Sequence, residues 1–327
     1  MKKKILMMVL RVVVSFGLLA YLAYAADIGK IYETLISVNL AYFGIGLLIF
    51  FSTLFIFTLR WQILLNEANV RPGYSRLLAY YFIGAFLNNF LPTTIGGDVS
   101  RAYNVARVSG KRAVSVGTVI LERILGFLAT LTLASLSMFW AGRYFHTSLI
   151  IVLNTTLLAF VAFALINLLN PALFNFTSRI LSRITFFGLG ERINRVLTSI
   201  HAFRQSKSSI FYAYLLSLFC QVLVVFMNYV LAIALGLQGV TLGYLFLVVP
   251  VTFVIGMIPS INGIGFRDYG YKELLSRVGL QPAEALSLSL LNTLAPLLIS
   301  LIGGLLLIFY RNNVGAPAIN EAEARAE

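Results

Sequence analysis

Charged residues are scarce in this chain of 327 residues. Only 11% of the positions carry Asp, Glu, Lys or Arg, whereas 59% are hydrophobic. A soluble domain has roughly 25% charged residues, so the composition argues against a water-soluble fold. Several apolar runs reach the ~20 residues that are needed to cross the hydrocarbon core of a bilayer. The sequence therefore predicts an all-α, multi-pass membrane protein.

Cysteine and histidine are nearly absent, which argues against two kinds of site. The single cysteine, Cys220, lies inside an apolar run, so an internal disulfide cannot form. The two histidines, His146 and His201, are far apart and near no cysteine, so a zinc site is not expected. The sequence also has no Walker motif and no visible acid–base cluster. We therefore expect no cofactor, no metal and no enzymatic activity.

The net charge of +13 would indicate nucleic-acid binding in a soluble protein. In a membrane protein, Lys and Arg instead mark cytoplasmic loops and contact anionic lipid headgroups. Residues 2–4 and Arg311 then place both termini in the cytoplasm. The first apolar segment resembles a signal peptide before Ala26, but its length favours an uncleaved anchor. We expect a protein of the cell membrane that binds no nucleic acid.

Basic loops predict which of the remaining apolar runs cross the membrane. These runs cover residues 40–59, 77–95, 114–141, 148–169, 209–235, 242–258 and 284–310. Run 77–95 lies between two equally basic segments, so both of its ends are predicted to face the cytoplasm. Run 242–258 lies between an uncharged loop and a nearly charge-balanced segment, so both of its ends are predicted outside. We predict six full spans and two re-entrant, broken helices.

Corresponding runs recur at a nearly constant offset along the chain. Their starts form the pairs 40 and 209, 77 and 242, and 114 and 284, so the separation hardly changes from pair to pair. The pattern predicts an inverted repeat, with one copy over about 40–141 and the other over about 209–310. Both copies belong to a single integral membrane domain, 1–311, which a short flexible tail, 312–327, follows. Chance spacing of Gly and Pro is the alternative.

Polar residues interrupt both re-entrant runs, in NNFLPTTIGGDVSRAY (88–103) and in PSINGIGFRD (259–268). Non-helical backbone in lipid leaves unpaired N–H and C=O groups, each costing several kcal/mol, unless protein buries it or it lines a wet cavity. Broken helices at matching positions of inverted repeats indicate a transport site near the bilayer midplane. A surface turn between two ordinary helices is the alternative.

The predicted substrate-binding residues come from these two segments and from the span between 114 and 141. They are Asn88, Asn89, Gly96, Gly97, Asp98, Arg101, Glu122, Arg123, Asn262, Gly263, Gly265, Arg267 and Asp268. The glycines let a headgroup approach the backbone, and a half-helix that starts near Asp98 directs its positive end there. Arg101 and Arg267 are the predicted phosphate ligands, because a guanidinium binds phosphate through a bidentate fork. Snorkelling at the membrane interface is the alternative for both.

Glu122 lies well inside an apolar run, where a charge costs at least ~2.5–3.5 kcal/mol. It either faces a cavity, where it balances Arg101 or Arg267 or meets a cationic headgroup, or it forms a structural ion pair that locks two helices. Arg60 and Trp61 are predicted to anchor a span at the cytoplasmic face. Residues 190–207 are predicted to form an amphipathic helix on an anionic leaflet.

Four features together resemble the lysylphosphatidylglycerol synthase transmembrane region family. They are Arg60-Trp61 with Leu64-Leu65, the 88–103 stretch, Glu122-Arg123 with Gly126, and PSINGIGFRD. The resemblance covers about 10–310 and implies that a lipid with a polar headgroup moves between leaflets. Fused members carry a large aminoacyltransferase domain after the membrane region, whereas only a short tail follows Arg311 here. The resemblance therefore does not imply lipid aminoacylation.

These observations predict flipping of a phospholipid or of a polyprenyl-phosphate-linked lipid. Two alternatives share much of the pattern: a secondary transporter of a small anionic solute, and an accessory subunit of a membrane lipid or glycan pathway. The expected partners are membrane lipids with anionic headgroups. A second copy of the chain or an enzyme of the same pathway is the expected protein partner.

Overall fold

The computed structural model describes residues 2–90, 96–141, 148–182, 207–256 and 263–313. Within these ranges the chain forms twelve α-helices and no strand. The helices are α1 Lys2–Ala25, α2 Ile28–Ile36, α3 Leu40–Glu67, α4 Tyr74–Phe90, α5 Gly96–Ser109, α6 Arg112–Ala141, α7 Ser148–Leu169, α8 Pro171–Ser182, α9 Lys207–Ala234, α10 Leu242–Ile255, α11 Phe266–Ser276 and α12 Pro282–Asn313.

Four of the described helices, α3, α6, α9 and α12, are long and apolar enough to cross a membrane. Two bent pairs raise the number to six if each pair counts as one span: α1 with α2, bent by 88°, and α7 with α8, bent by 110°. The prediction of an all-α, multi-pass membrane protein is confirmed, and the six predicted spans lie within this range.

Helices α3 and α9 pack along each other in opposite directions. Asn39, just before α3, donates its backbone N–H to the carbonyl of Ala234 at the end of α9, at 2.8 Å. At the other end, the hydroxyl of Ser209 in α9 donates to the Glu67 carboxylate at the end of α3, at 2.8 Å. The side chain of Asn39 also caps α3, because it accepts the N–H of Ala41 at 3.0 Å. Each helix therefore begins where the other ends.

Two helical hairpins, α4–α5 and α10–α11, each return to the end of the bundle from which they start. Lys111, just after α5, donates to the carbonyls of Ala68 and Asn69 just before α4, at 3.4 and 3.3 Å. In the second hairpin, the Tyr244 hydroxyl near the start of α10 donates to the Leu274 carbonyl near the end of α11, at 2.6 Å. Because α3 and α9 are antiparallel, the two hairpins start from opposite ends of the bundle.

Helix packing is reciprocal between the two halves of the molecule. Helix α4 of the first half packs against α12 of the second, and α10 of the second half packs against α6 of the first. Corresponding helices begin at a nearly constant offset, namely at 40 and 207, 74 and 242, 96 and 266, and 112 and 282. A duplicated unit is expected to pack in this way. Insertion of the hairpins into a bilayer from opposite faces stays a prediction.

Small residues allow α4 and α12 to approach closely. A Cβ on Gly303 of α12 would lie 1.9 Å from the carbonyl oxygen of Phe82 in α4, and one on Gly304 would lie 2.8 Å from the Phe86 ring. Small residues at such crossings let two backbones approach within packing distance in a membrane. The glycine pair therefore sets the spacing between the first hairpin and the last helix.

Several predictions fall wholly or largely outside the described residues. They are the helix breaks at Pro92 and Pro259, the amphipathic segment 190–207 and the tail 312–327.

The hairpin arrangement predicts a labelling pattern for single cysteines placed at exposed positions. Ser75→Cys and Lys111→Cys should react from the cytoplasm, and Gln238→Cys and Ser276→Cys from outside, since each hairpin returns to its own face. The native Cys220 is buried and gives little background. Labelling of intact cells is compared with labelling of inside-out vesicles. External labelling of Lys111→Cys would make α4–α5 a plain span and contradict the inverted repeat.

Candidate functional site

Five charged side chains form a continuous chain of alternating sign through the first half of the molecule. We call this set the ion chain. Arg60 donates to Glu122 at 2.8 Å, and Arg101 donates to the other carboxylate oxygen of Glu122 at 2.9 Å. Arg101 also donates to Asp98 at 2.8 Å, and Arg123 pairs through Nε with the second oxygen of Asp98. The order is thus Arg60, Glu122, Arg101, Asp98, Arg123.

Helical spacing places the members of the ion chain. Asp98 and Arg101 are three residues apart on α5, so they lie on the same face of that helix. Glu122 and Arg123 are neighbours on α6 and point about 100° apart. Glu122 therefore faces the interior, where its side chain is 1% exposed, while the Arg123 side chain is 49% exposed.

Glu122 is held by more than its two ion pairs. The Tyr81 hydroxyl donates to its Oε1 at 3.0 Å, and Arg60 extends the network to α9 by donating to Ser217 at 2.7 Å. The Arg101 guanidinium also lies over the Tyr81 ring, 4.2 Å from its centroid. Removing an ion from water costs several kcal/mol, which its partners offset only if most of its hydrogen-bonding capacity is used. The network meets that condition at Glu122.

The prediction that Arg60 and Trp61 anchor a span at the membrane interface is wrong. Trp61 is fully buried and Arg60 is 5% exposed. Helix α3 continues to Glu67, so both residues lie inside the helix rather than at its end. The Trp61 indole N–H donates to the Thr118 hydroxyl on α6, at 3.2 Å. The isolated charge of Arg60 in an apolar helix was the available signal for a buried partner.

The start of α5 is built on a close contact with α4. Gly97 donates its N–H to the side chain of Asn88 at 2.8 Å, which satisfies one of the unpaired donors at the helix N-terminus. A Cβ on Gly97 would lie 1.8 Å from the carbonyl oxygen of Gly84. The glycine therefore allows α4, rather than a ligand, to approach. Gly96 is the first residue of α5, and Asn89 lies in the last turn of α4.

The second hairpin uses its predicted residues differently. Asp268 accepts the backbone N–H of Gly265 at 2.8 Å and the hydroxyl of Ser289 at 2.6 Å, so it stabilises the start of α11. Gly265 has a φ of 87° and Gly263 one of 78°, in the region that favours glycine. Arg267 is half-buried and donates to the Thr293 hydroxyl on α12. Asn262 lies outside the described residues.

The two predicted phosphate ligands belong to separate clusters. Arg101 contacts Glu122 and Asp98, whereas Arg267 contacts Thr293. Within the described ranges no ion pair joins the two hairpins, so Asp98 and Glu122 balance Arg101 and do not balance Arg267. Of the alternatives for Glu122, the geometry favours the structural ion pair, which links α6 to α3 and α5.

Three neutral residues in the second half form a hydrogen-bonded cluster that is not among the predicted binding residues. The Tyr271 hydroxyl donates to Asn228 at 2.8 Å, and Asn228 donates to Asn292 at 3.1 Å. At the offset that relates α5 to α11 and α6 to α12, Tyr271 corresponds to Arg101 and Asn292 to Glu122. The neutral cluster thus occupies the repeat-equivalent position of the ion chain, and the repeat offset was the signal that could have found Asn292.

The chain is similar to one protein family over most of its length. A family model described as "Lysylphosphatidylglycerol synthase TM region" matches residues 8–304. A UPF0104 membrane protein of Pyrococcus horikoshii is 23% identical over 330 aligned positions, covering 91% of this chain and 96% of that protein. A UPF0104 membrane protein of Methanothermobacter thermautotrophicus is 23% identical over 312 positions, covering 88% of this chain and 89% of that protein.

Removing the central carboxylate should destabilise the protein. Glu122→Gln leaves Arg60 and Arg101 without their shared anion, and breaking a buried pair costs about 3–5 kcal/mol. We expect reduced accumulation in the membrane and a lower melting temperature in detergent. The control is Glu273→Gln. It removes the exposed ion pair between Glu273 and Arg277, whose charged atoms are 3.8 Å apart, and should cost about 0–1 kcal/mol. Wild-type stability of the Glu122→Gln protein would contradict the structural role.

A methyl group at the contact between α4 and α5 should also destabilise the protein. In Gly97→Ala the new Cβ would meet a backbone oxygen at 1.8 Å, so the two helices must separate. Overpacking of this kind costs about 1–3 kcal/mol. Gly73→Ala is the control, because no atom lies within 4 Å of its Cβ position. Equal melting temperatures of the two variants would show that the contact does not constrain the hairpin.

Proposed function

The chain belongs to the lysylphosphatidylglycerol synthase TM region family, and we propose that it moves a lipid with an anionic headgroup between the leaflets of a membrane. The lipid is a phospholipid or a polyprenyl-phosphate-linked lipid. We place the protein in the cell membrane with both termini in the cytoplasm, and we propose a non-enzymatic role. The observation that carries the proposal is the ion chain, which begins at a buried arginine and ends at an accessible one.

The charges of the ion chain favour an anionic ligand. Its five side chains carry three positive charges and two negative charges. The side chains from Arg60 to Asp98 are at most 8% exposed, whereas that of Arg123 is 49% exposed. A phosphate bound at Arg123 would continue the alternation of sign. A guanidinium suits this role because its planar fork matches phosphate geometry.

We propose different roles for Arg101 and Arg123. Arg101 donates to two carboxylates through its terminal nitrogens and is 5% exposed, so we propose that it positions Asp98 rather than binding the headgroup. Asp98 in turn holds Arg123 at the surface of the helix bundle. The ligand role predicted for Arg101 therefore moves to Arg123 in this proposal.

Apolar side chains beside the end of the ion chain favour a lipid over a soluble anion. Val99, next to Asp98, is 61% exposed, and Tyr103 on the same helix is 49% exposed. Val116, on α6 two turns before Arg123, is 44% exposed. A headgroup at Arg123 would thus lie beside surface that acyl or polyprenyl chains can cover. A transporter of soluble anions needs polar surroundings along the path instead.

Transport by purified protein in reconstituted vesicles tests the proposal. We expect fluorescent phosphatidylglycerol to exchange between leaflets faster than in protein-free vesicles, as measured by dithionite quenching. Arg123→Gln should slow the exchange about tenfold or more, because a hydrogen bond to a charged group contributes about 1.5–3 kcal/mol. Arg277→Gln, which alters an exposed residue paired with Glu273, is the control and should keep the wild-type rate.

Two further assays distinguish the alternatives. Uptake of radioactive inorganic phosphate without lipid exchange would identify a transporter of soluble anions. Absence of both activities in folded wild-type protein would favour an accessory role. Equal lipid exchange by wild type and Arg123→Gln would remove Arg123 from the site.

A further inference from the structure

We propose that Arg123 and Arg267 are equivalent anion subsites, one in each half of the molecule, which hold the same headgroup phosphate in turn. This inference rests on the proposed function and names the groups that would bind the headgroup in each half. The two residues differ in sequence context, since Arg123 lies on a long helix and Arg267 on a short one. They are equivalent in their contacts, because each bridges the short helix and the long helix of its half.

The repeat offset aligns the elements that carry the two arginines. Helices α5 and α11 begin at Gly96 and Phe266, and helices α6 and α12 begin at Arg112 and Pro282, so both pairs share one offset. Asp98 and Asp268 are therefore the third residues of their helices, and Gly97 and Arg267 are the second. On the long helices, Thr293 is the equivalent of Arg123.

In each half, a guanidinium bridges the start of the short helix and the middle of the long helix. In the first half, Arg123 on the long helix reaches Asp98 at the start of the short helix. In the second half, Arg267 at the start of the short helix reaches Thr293 on the long helix. The arginine thus comes from the long helix in the first half and from the short helix in the second. In both halves its guanidinium lies between these two helices, so the positive charge occupies a corresponding place.

Packing explains why the first half cannot use the arrangement of the second. A side chain at Gly97 would start 1.8 Å from the carbonyl oxygen of Gly84, so no arginine can stand there. The second junction does have room for a side chain at the equivalent position, which Arg267 occupies beside Gly256. The arginine of the first half must therefore come from α6.

The two subsites differ in their partners. Arg123 forms an ion pair with Asp98, which already binds Arg101. Arg267 instead donates to the neutral hydroxyl of Thr293 and forms no ion pair among the described residues. The Nε of Arg267 is also buried and has no hydrogen-bond partner among the described residues. A phosphate would supply the missing acceptor, which a buried donor requires. We therefore expect an anion to bind more tightly at Arg267 than at Arg123.

A transplanted arginine tests the equivalence of the junctions. Arg267→Gly should slow exchange of phosphatidylglycerol about ten- to a hundredfold. Adding Thr293→Arg to that variant rebuilds the arrangement of the first half and should recover most of the rate. Adding Thr293→Gln, which supplies a long neutral side chain, should not. Arg267→Gln, which keeps a helix-forming residue, provides the same loss of charge if the glycine variant unfolds in detergent.

A binding measurement separates this inference from the proposed function. Calorimetry on purified wild-type protein with short-chain phosphatidylglycerol should detect two sites, of which Arg123→Gln removes the weaker and Arg267→Gln the tighter. Equal recovery by Thr293→Gln and Thr293→Arg, or a single site in wild type, would overturn the inference. Two sites in a protein that exchanges no lipid would support the subsites and overturn the proposed function. Tighter binding of inorganic phosphate than of the lipid would overturn the assignment to a headgroup.

Discussion

The rest of the first half depends on the position of one carboxylate, that of Glu122. It accepts from Arg60 on α3 and from Arg101 on α5, and Arg60 continues to Ser217 on α9. With the Tyr81 hydroxyl of α4, which also donates to Glu122, five helices are joined at a place where no charge is stable alone. Because Nη1 of Arg101 donates to Glu122, its Nη2 is positioned to hold Asp98, which in turn pairs with Arg123 on α6.

The helices of the second half follow the same order as those of the first, but different interactions join them. Asn228, Tyr271 and Asn292 replace the ions with neutral hydrogen bonds. A typical hydrogen bond contributes about 0.5–1.5 kcal/mol net, whereas breaking a buried ion pair costs about 3–5 kcal/mol. Removing one partner of the neutral cluster is therefore expected to cost less than removing one partner of the ion chain.

Sequence reasoning reached the fold class because this depends on local patterns. Long apolar runs identify spanning helices, and the constant offset between interruptions identifies corresponding helices. The same reasoning indicated that Glu122 needs a partner, since a charge inside an apolar run is costly. It misplaced Arg60, because the helix that contains it extends further than its apolar run and turns this residue toward α6.

The sequence by itself determined that the charge of Glu122 needs compensation, whereas only the tertiary structure decided which residues provide it. Arg60, Arg101 and Glu122 lie on three different helices, and their spacing along the chain carries no information on distance because loops and helix directions intervene. The packing of α5 on α4 through Gly97 and Gly84 brings Arg101 to Glu122. That contact leaves no room for a side chain at Gly97, so the arginine that we propose as the anion subsite of the first half lies on α6, while that of the second half lies on α11.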